Sequence, residues 1–232
     1  MTPLSIEQVI EKNNILGRGR DSTGAVRPFT PEEFLEISHE LGATQLYPPY
    51  RALHEHLAKW ISNELKVKST LEIGSGPGYL LNCLLELGVN AEGLDGSEVS
   101  RQFFLSQHPK HFRHYGIDPV FSKNYSQKDA VLSIEVFEHI PDDGLLKIMK
   151  KIRDEIKPKY VVFSSTPNVD PNPNWDIQWG HINIKQPEEW RALFKEFGFE
   201  VDDTKKPPVT EWADLYKNTN TAKLLPKYYF KL

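Results

Sequence analysis

The chain has 232 residues, 39% of them apolar and 11% aromatic, enough to close one sizeable core and to argue against disorder. A formal net charge of −4 gives no general attraction to nucleic acid or anionic membrane, so polymer-binding roles are disfavoured. The one cysteine, Cys83, excludes an internal disulfide, and no apolar stretch reaches the roughly 20 residues of a bilayer span.

Met1 to Asn14 lacks the basic-then-apolar pattern of a leader, and a cytoplasmic setting is expected. Ser5-Ile6-Glu7-Gln8 fits a capping box, so a short amphipathic helix follows. Gly17 to Gly24 is a turn-rich loop whose arginines, Arg18 and Arg20, are expected in solvent. Thr30-Pro31-Glu32-Glu33 starts a second helix that stops at Gly42, and a third runs from about Pro49 to Leu65 with Leu53, Leu57, Trp60 and Ile61 on one stripe. These three helices, residues 1–66, form an expected cap; residues 67–232 form the core.

From Ser69 strands alternate with helices, the pattern of a parallel sheet covered on both faces. Strands are expected at Thr70 to Ile73, Ala91 to Leu94, somewhere in Phe112 to Phe121, Asp129 to Ile134, Tyr160 to Ser164, Phe199 to Val201 and Lys227 to Lys231. Intervening helices are expected over Tyr79 to Leu87, Glu98 to Gln107 and Asp143 to Ile156, and one begins at Pro187. The lysines of the Asp143 to Ile156 helix share their face with Asp154 and Glu155 and read as a solvated surface. Ser165 to Lys185 is expected as a long loop, which is unusual unless functional.

The stretch Glu72-Ile73-Gly74-Ser75-Gly76-Pro77-Gly78-Tyr79 joins the first strand to its helix through a turn that lets backbone approach a ligand closely. A dinucleotide fingerprint would place its last glycine at position 79, which is Tyr79 here. Asp95, 21 positions after Gly74 at the end of the second strand, stands where an acid of this fold binds ribose hydroxyls. The acid followed by G-x-G-x-G resembles the first motif of class I S-adenosylmethionine (SAM) dependent methyltransferases. That resemblance covers Leu71 to about Val201 and implies an α/β, Rossmann-like, seven-stranded and mostly parallel sheet. It also implies SAM as cofactor, bound by Glu72, Gly74, Ser75, Gly76, Gly78 and Tyr79, by Asp95, Gly96 and Ser97, and by Glu135. Asp118 is one candidate for the adenine side.

Glu135, Glu138 and His139 stand at i, i+3 and i+4 after the fourth strand, and would share one face if the chain turned helical there. The long loop reaches the same sheet end and supplies His181. Two carboxylates and two imidazoles could hold a divalent ion, Mn²⁺, Fe²⁺, Co²⁺ or Zn²⁺ at least as readily as Mg²⁺. The E-x-x-E-H pattern with a distant histidine resembles the ubiquinone-pathway O-methyltransferases, which act on catechol-like hydroxyls. It also resembles the small-RNA terminal 2′-O-methyltransferases, in which a metal binds the 2′,3′-diol. The alternative is a metal-free pocket in which His139 or His181, beside Glu138, acts as a general base.

His108, His111 and His114 recur every third residue without a supporting acid and are expected to be structural. Trp175 and Trp179 either stack on substrate or anchor the loop, and Tyr47 and Tyr50 approach from the cap. Thr204 to Leu225, read as a connection, adds a substrate wall. Together these features describe a SAM-dependent methyltransferase acting on an oxygen of a small hydroxylated metabolite. The rivals are a small-RNA 3′-terminal 2′-O-methyltransferase and a non-catalytic SAM-binding module; oligomeric state stays open.

Overall fold

In the computed structural model, residues 2–118, 121–208 and 212–219 are described. The two capping boxes form as the sequence expects. Ser5 and Gln8 close the start of α1 (Ile6–Leu16), and Thr30 and Glu33, with Pro31 behind them, close the start of α2 (Pro31–Glu40). Each such cap is worth about 1 kcal/mol to its helix. Arg18 is not a solvent residue: its guanidinium pairs with Glu36 at 2.5 Å and Glu40 at 3.0 Å, fixing the loop to α2.

After α3 (Pro48–Asn63) the chain enters the sheet. The strands are β1 (Ser69–Ile73), β2 (Asn90–Asp95), β3 (Tyr115–Ile117), β4 (Ala130–Ile134), β5 (Tyr160–Ser164), β6 (Phe199–Val201) and β7 (Ala213–Asn218). They lie in the order β3-β2-β1-β4-β5-β7-β6, all parallel except β7, which runs antiparallel to both of its neighbours. The helices between them are α4 (Tyr79–Glu86), α5 (Glu98–Gln107), α6 (Asp142–Lys151), α7 (Pro173–Trp179) and α8 (Pro187–Glu196).

Alternation along the strands makes two cores. Ala130, Leu132 and Val162 face Leu57 and Ile61 of α3, Leu81 and Leu84 of α4, and Phe104 of α5. Val131, Val161 and Phe163 face Ile148 and Met149 of α6 and Trp190 and Phe194 of α8. Fully burying a side chain of this size contributes roughly 1.5–3 kcal/mol, so these stripes dominate the energetics of the sheet. Helix α3 is thus part of one sheet-covering layer, whereas Val9 of α1 and Ile37 of α2 form a separate cluster with Trp175 of α7, flanked by Phe29 and Trp179. No helix among the described residues is long and apolar enough to cross a membrane.

Three segments differ from expectation. The seventh strand lies at Ala213–Asn218, inside the stretch read as a connection; Lys227 to Lys231 fall outside the described residues. Its apolar pattern is interrupted by the buried Asp214, whose charge is answered by Arg191 of α8 at 2.7 and 3.1 Å. The Ser165 to Lys185 loop contains α7, because Asn172 caps the helix and Pro173 occupies its first position instead of breaking it. The helix expected over Asp143 to Ile156 forms, but the stretch from Glu135 to His139 turns helical only in part. Glu135 adopts a left-handed φ of 54°, a single 3₁₀ turn spans Phe137–His139, and α6 starts only at Asp142, widening at its end into a π turn over Ile152–Ile156.

Candidate active site

The strand order reverses between β1 and β4, and ligands of open α/β sheets bind in the crevice beyond the strand ends at such a point. Here the crevice receives the glycine turn from β1 and Glu135 from β4. Gly74 and Gly78 have φ of 73° and 75°, and a Cβ on either would fall 2.3 Å from Val136 or 2.2 Å from Phe104. Only glycine satisfies both constraints. At Gly76 a Cβ would meet nothing within 4 Å, so that part of the turn borders open space.

Asp95 ties the turn down from β2. Its Oδ2 accepts the Gly76 N–H at 2.7 Å and its Oδ1 the Ser97 N–H at 2.8 Å. Tyr115 of β3 adds a hydroxyl hydrogen bond to the Gly76 carbonyl at 2.5 Å. A carboxylate offers about four lone-pair positions, so Asp95 keeps acceptor capacity towards the crevice. Ser97 caps α5 by accepting the Ser100 N–H at 3.1 Å.

Glu72 is 6% exposed, and its Oε2 is buried without a hydrogen-bond partner among the described residues. Burial, then the charge of Asp95, push its pKa up to about 8. It borders a cavity of about 280 Å³ that Gly74, Gly76, Tyr79, Glu135, Tyr50 and Trp179 also line. An orphaned buried carboxylate beside an open glycine turn suits a ligand that brings a cation, and the ammonium and sulfonium of SAM meet that description. Burial, then Glu72 and Glu135, raise the Tyr50 hydroxyl to about 12, so it stays a neutral donor. Larger hollows of about 360 and 500 Å³ open among α1, α2 and α3, but none of the glycine-turn or acidic strand-end residues lines them.

Asp118 is occupied elsewhere. Its carboxylate accepts Ser122 N–H and Oγ–H, Lys123 N–H and Tyr125 Oη–H at 2.7, 2.9, 2.9 and 2.6 Å. Burial opposes its charge, but these donors outweigh it and hold the pKa down near 2. It organises its own loop through these four bonds.

At the β4 side, Glu138, His139 and His181 bring ligand atoms within 4.8 Å of one another. Glu138 is 1% exposed, its Oε2 accepts the Ser165 hydroxyl at 3.0 Å, and burial raises its pKa. Its carbonyl accepts the N–H groups of Ile182 and Asn183, both at 2.9 Å, which pins the segment after α7 against the 3₁₀ turn. The imidazole centroids of His139 and His181 are 4.9 Å apart. Burial, then His181, lower His139 to about 4, so it is neutral at pH 7 and able to accept a proton or a cation. Glu135, expected as a fourth ligand, is not among the three whose ligand atoms converge; it borders the cavity and its side chain hydrogen-bonds that of Glu138. The shared face expected of a helix is supplied by a single 3₁₀ turn over Phe137–His139.

The sequence reading passed over three contributors. Asp176 lies 2.8 Å from His181 Nδ1, Ser165 supports Glu138, and His54 borders the cavity with Tyr50. Trp175 is a loop anchor, buried against Phe29, while Trp179 both packs on Phe29 and Phe34 and borders the cavity. His114 bonds the Ala91 carbonyl at 2.9 Å, and no three-residue ligand group forms among His108, His111 and His114.

Comparison with known proteins agrees with this architecture. A family model described as a methyltransferase domain matches residues 43–204, from the start of α3 through β6. The ubiquinone biosynthesis O-methyltransferase of Pseudomonas aeruginosa (strain UCBPP-PA14) is 28% identical over 178 residues, 68% of this chain and 76% of that protein. The same-named protein of Bordetella avium (strain 197N) is 26% identical over 133 residues, 54% of each chain. The chain thus spans between about half and three quarters of the length of these relatives. Among solved structures, the PH0226 protein from Pyrococcus horikoshii OT3 superposes with a TM-score of 0.57 at 17% identity, covering 74% of this chain and 92% of that one. With its strand order, glycine turn and family match in agreement, the chain belongs to the methyltransferase-domain family and is a class I SAM-dependent methyltransferase.

Proposed function

We propose that the enzyme methylates an oxygen of a small hydroxylated acceptor, assisted by a divalent cation held by Glu138, His139 and His181 with Glu135 beside them. The observation that carries this reading is the meeting of a buried carboxylate and two imidazoles at the sheet end that also holds the glycine turn. That the curated relatives are named O-methyltransferases supports oxygen as the acceptor atom.

When bound, SAM supplies an electrophilic methyl group on a sulfonium. The chain's part is binding and orientation. The glycine turn cradles the methionine end, Glu72 pairs with its ammonium, and the remaining lone pairs of Asp95 face the ribose. A hydroxyl is a poor nucleophile until its proton is drawn off, and a cation on this donor set would supply that effect. Glu138 and the neutral His139 hold the acceptor oxygen in line for transfer, and orientation of this kind lowers the barrier substantially. In a metal-free site the same neutral imidazole would accept the proton itself.

A labelled-methyl assay against catechol-type diols, monohydroxylated analogues and RNA with a free or blocked 3′ end tests the acceptor class. Transfer to small diols is the expected result. Transfer confined to RNA with a free 3′ end would replace this reading with the terminal-nucleoside one, and SAM binding without turnover on any acceptor would favour a binding module.

A further inference from the structure

We infer that Asp176 is a positioning residue: its carboxylate fixes the His181 imidazole with the proton on Nδ1 and turns the Nε2 lone pair towards Glu138 and His139. Asp176 is 8% exposed, and its two oxygens have distinct tasks. Oδ1 lies 2.8 Å from His181 Nδ1, while Oδ2 accepts the Asp170 N–H at 2.7 Å. The carboxylate is therefore itself held and can serve as a fixed reference for the ring.

The main chain reinforces the arrangement. Helix α7 ends at Gly180 in the left-handed region, and the His181 N–H returns to the Asp176 carbonyl at 2.9 Å. One residue thus grips His181 twice, by backbone and by ring. The same turn sets the second imidazole, because the Gly180 carbonyl lies 3.3 Å from His139 Nδ1. A carbonyl only accepts, so His139 also carries its proton on Nδ1 and keeps Nε2 for other partners. Helix α7 is in turn clamped to the cap: the Phe29 N–H donates to the Gln178 carbonyl at 2.7 Å, and Trp175 and Trp179 pack edge-on against Phe29. A carboxylate or carbonyl behind each ligating histidine is how proteins fix imidazole tautomer and orientation at metal centres.

This inference rests on the cation-assisted reading for its purpose but not for its test. In full-length protein with ¹⁵N-labelled imidazoles, the His181 resonance, identified by its loss in His181→Gln, is followed at a pH where the ring is neutral. The wild type is expected to show the Nδ1–H form, and Asp176→Asn a shift towards Nε2–H. An Nε2–H ring in the wild type, or an unchanged ring in Asp176→Asn, overturns the inference. Cobalt titration gives a second reading: Asp176→Asn should bind Co²⁺ roughly 10–100-fold more weakly, with SAM affinity unchanged and Asp176→Glu recovering part of the loss. Equal Co²⁺ affinity in Asp176→Asn and wild type would also overturn it. If the wild type takes up no Co²⁺, the cation-assisted reading fails alone, and the tautomer result still decides the role of Asp176. Heat-stabilisation by SAM shows that each variant is folded; if Asp176→Asn fails this check, the wild-type tautomer alone decides the inference.

Discussion

The two halves of the crevice are made of different material. The β1–β2 half is mostly backbone: a turn of glycines at positive φ, tied by Asp95 and Tyr115, with the buried, partnerless Oε2 of Glu72 beneath it. The β4–β5 half is mostly side chain: Glu138 and two histidines from irregular segments, oriented by Ser165, Gly180 and Asp176. Backbone geometry suits a ligand that is the same in every turnover. Side chains on a 3₁₀ turn and a loop helix can be exchanged one at a time, which suits the partner that sets specificity.

This contrast can be broken experimentally. The largest effect is expected from Glu138→Ala, which should lower kcat by about 10²–10⁴-fold while SAM affinity, measured by calorimetry, stays near that of the wild type. Equal losses in both would show that the halves are not separable. Chelator treatment should abolish most turnover, with recovery on adding Mn²⁺, Co²⁺ or Mg²⁺, while SAM still raises the melting temperature; full activity in chelator would leave His139 as a general base. Gly78→Ala should do the reverse of Glu138→Ala. Its positive φ and the overlap with Phe104 predict a loss of about 1–2 kcal/mol in stability and a matching weakening of SAM binding, readable by denaturant melts and titration.

A further effect is a pH dependence. Glu72 rises from 4.5 to about 8 in the folded protein, so between those values the folded chain retains a proton that the unfolded chain has released. Stability of the ligand-free enzyme therefore falls as pH rises through this window, by up to a few kcal/mol at ~1.4 kcal/mol per unit. Glu72→Gln should flatten that slope, melting several degrees higher than wild type at pH 9 and alike at pH 4, yet binding SAM more weakly. Parallel melting curves across this range would remove Glu72 as a buried, unpaired acid.

The same contrast explains what was legible in the sequence. Local rules found the cofactor half: capping at Ser97 gives α5 over Glu98–Gln107, the glycines mark the turn, and the spacing to Asp95 marks the second strand. Pairing in three dimensions decided the rest. Strand β7 was hidden because Asp214 breaks its apolar run, and that acid is answered by Arg191 on another element and by the Tyr216 hydroxyl. Helix α7 was hidden because its proline sits at the one helical position that tolerates it without cost, behind the Asn172 cap. Of the four residues expected around a metal, Glu138, His139 and His181 converge, while Glu135, in the left-handed region at the end of β4, meets Glu138 through its side chain. Asp118, the adenine-side candidate after the third strand, accepts hydrogen bonds from its own loop.

The contact of Phe29 with Trp175 and Trp179 joins the cap to the segment that delivers His181. Two pieces far apart along the chain thus travel as one part. Transplanting only the β5–α8 segment between relatives would strand the histidine without its footing, whereas exchanging it together with residues 2–42 would keep the Phe29 contact intact.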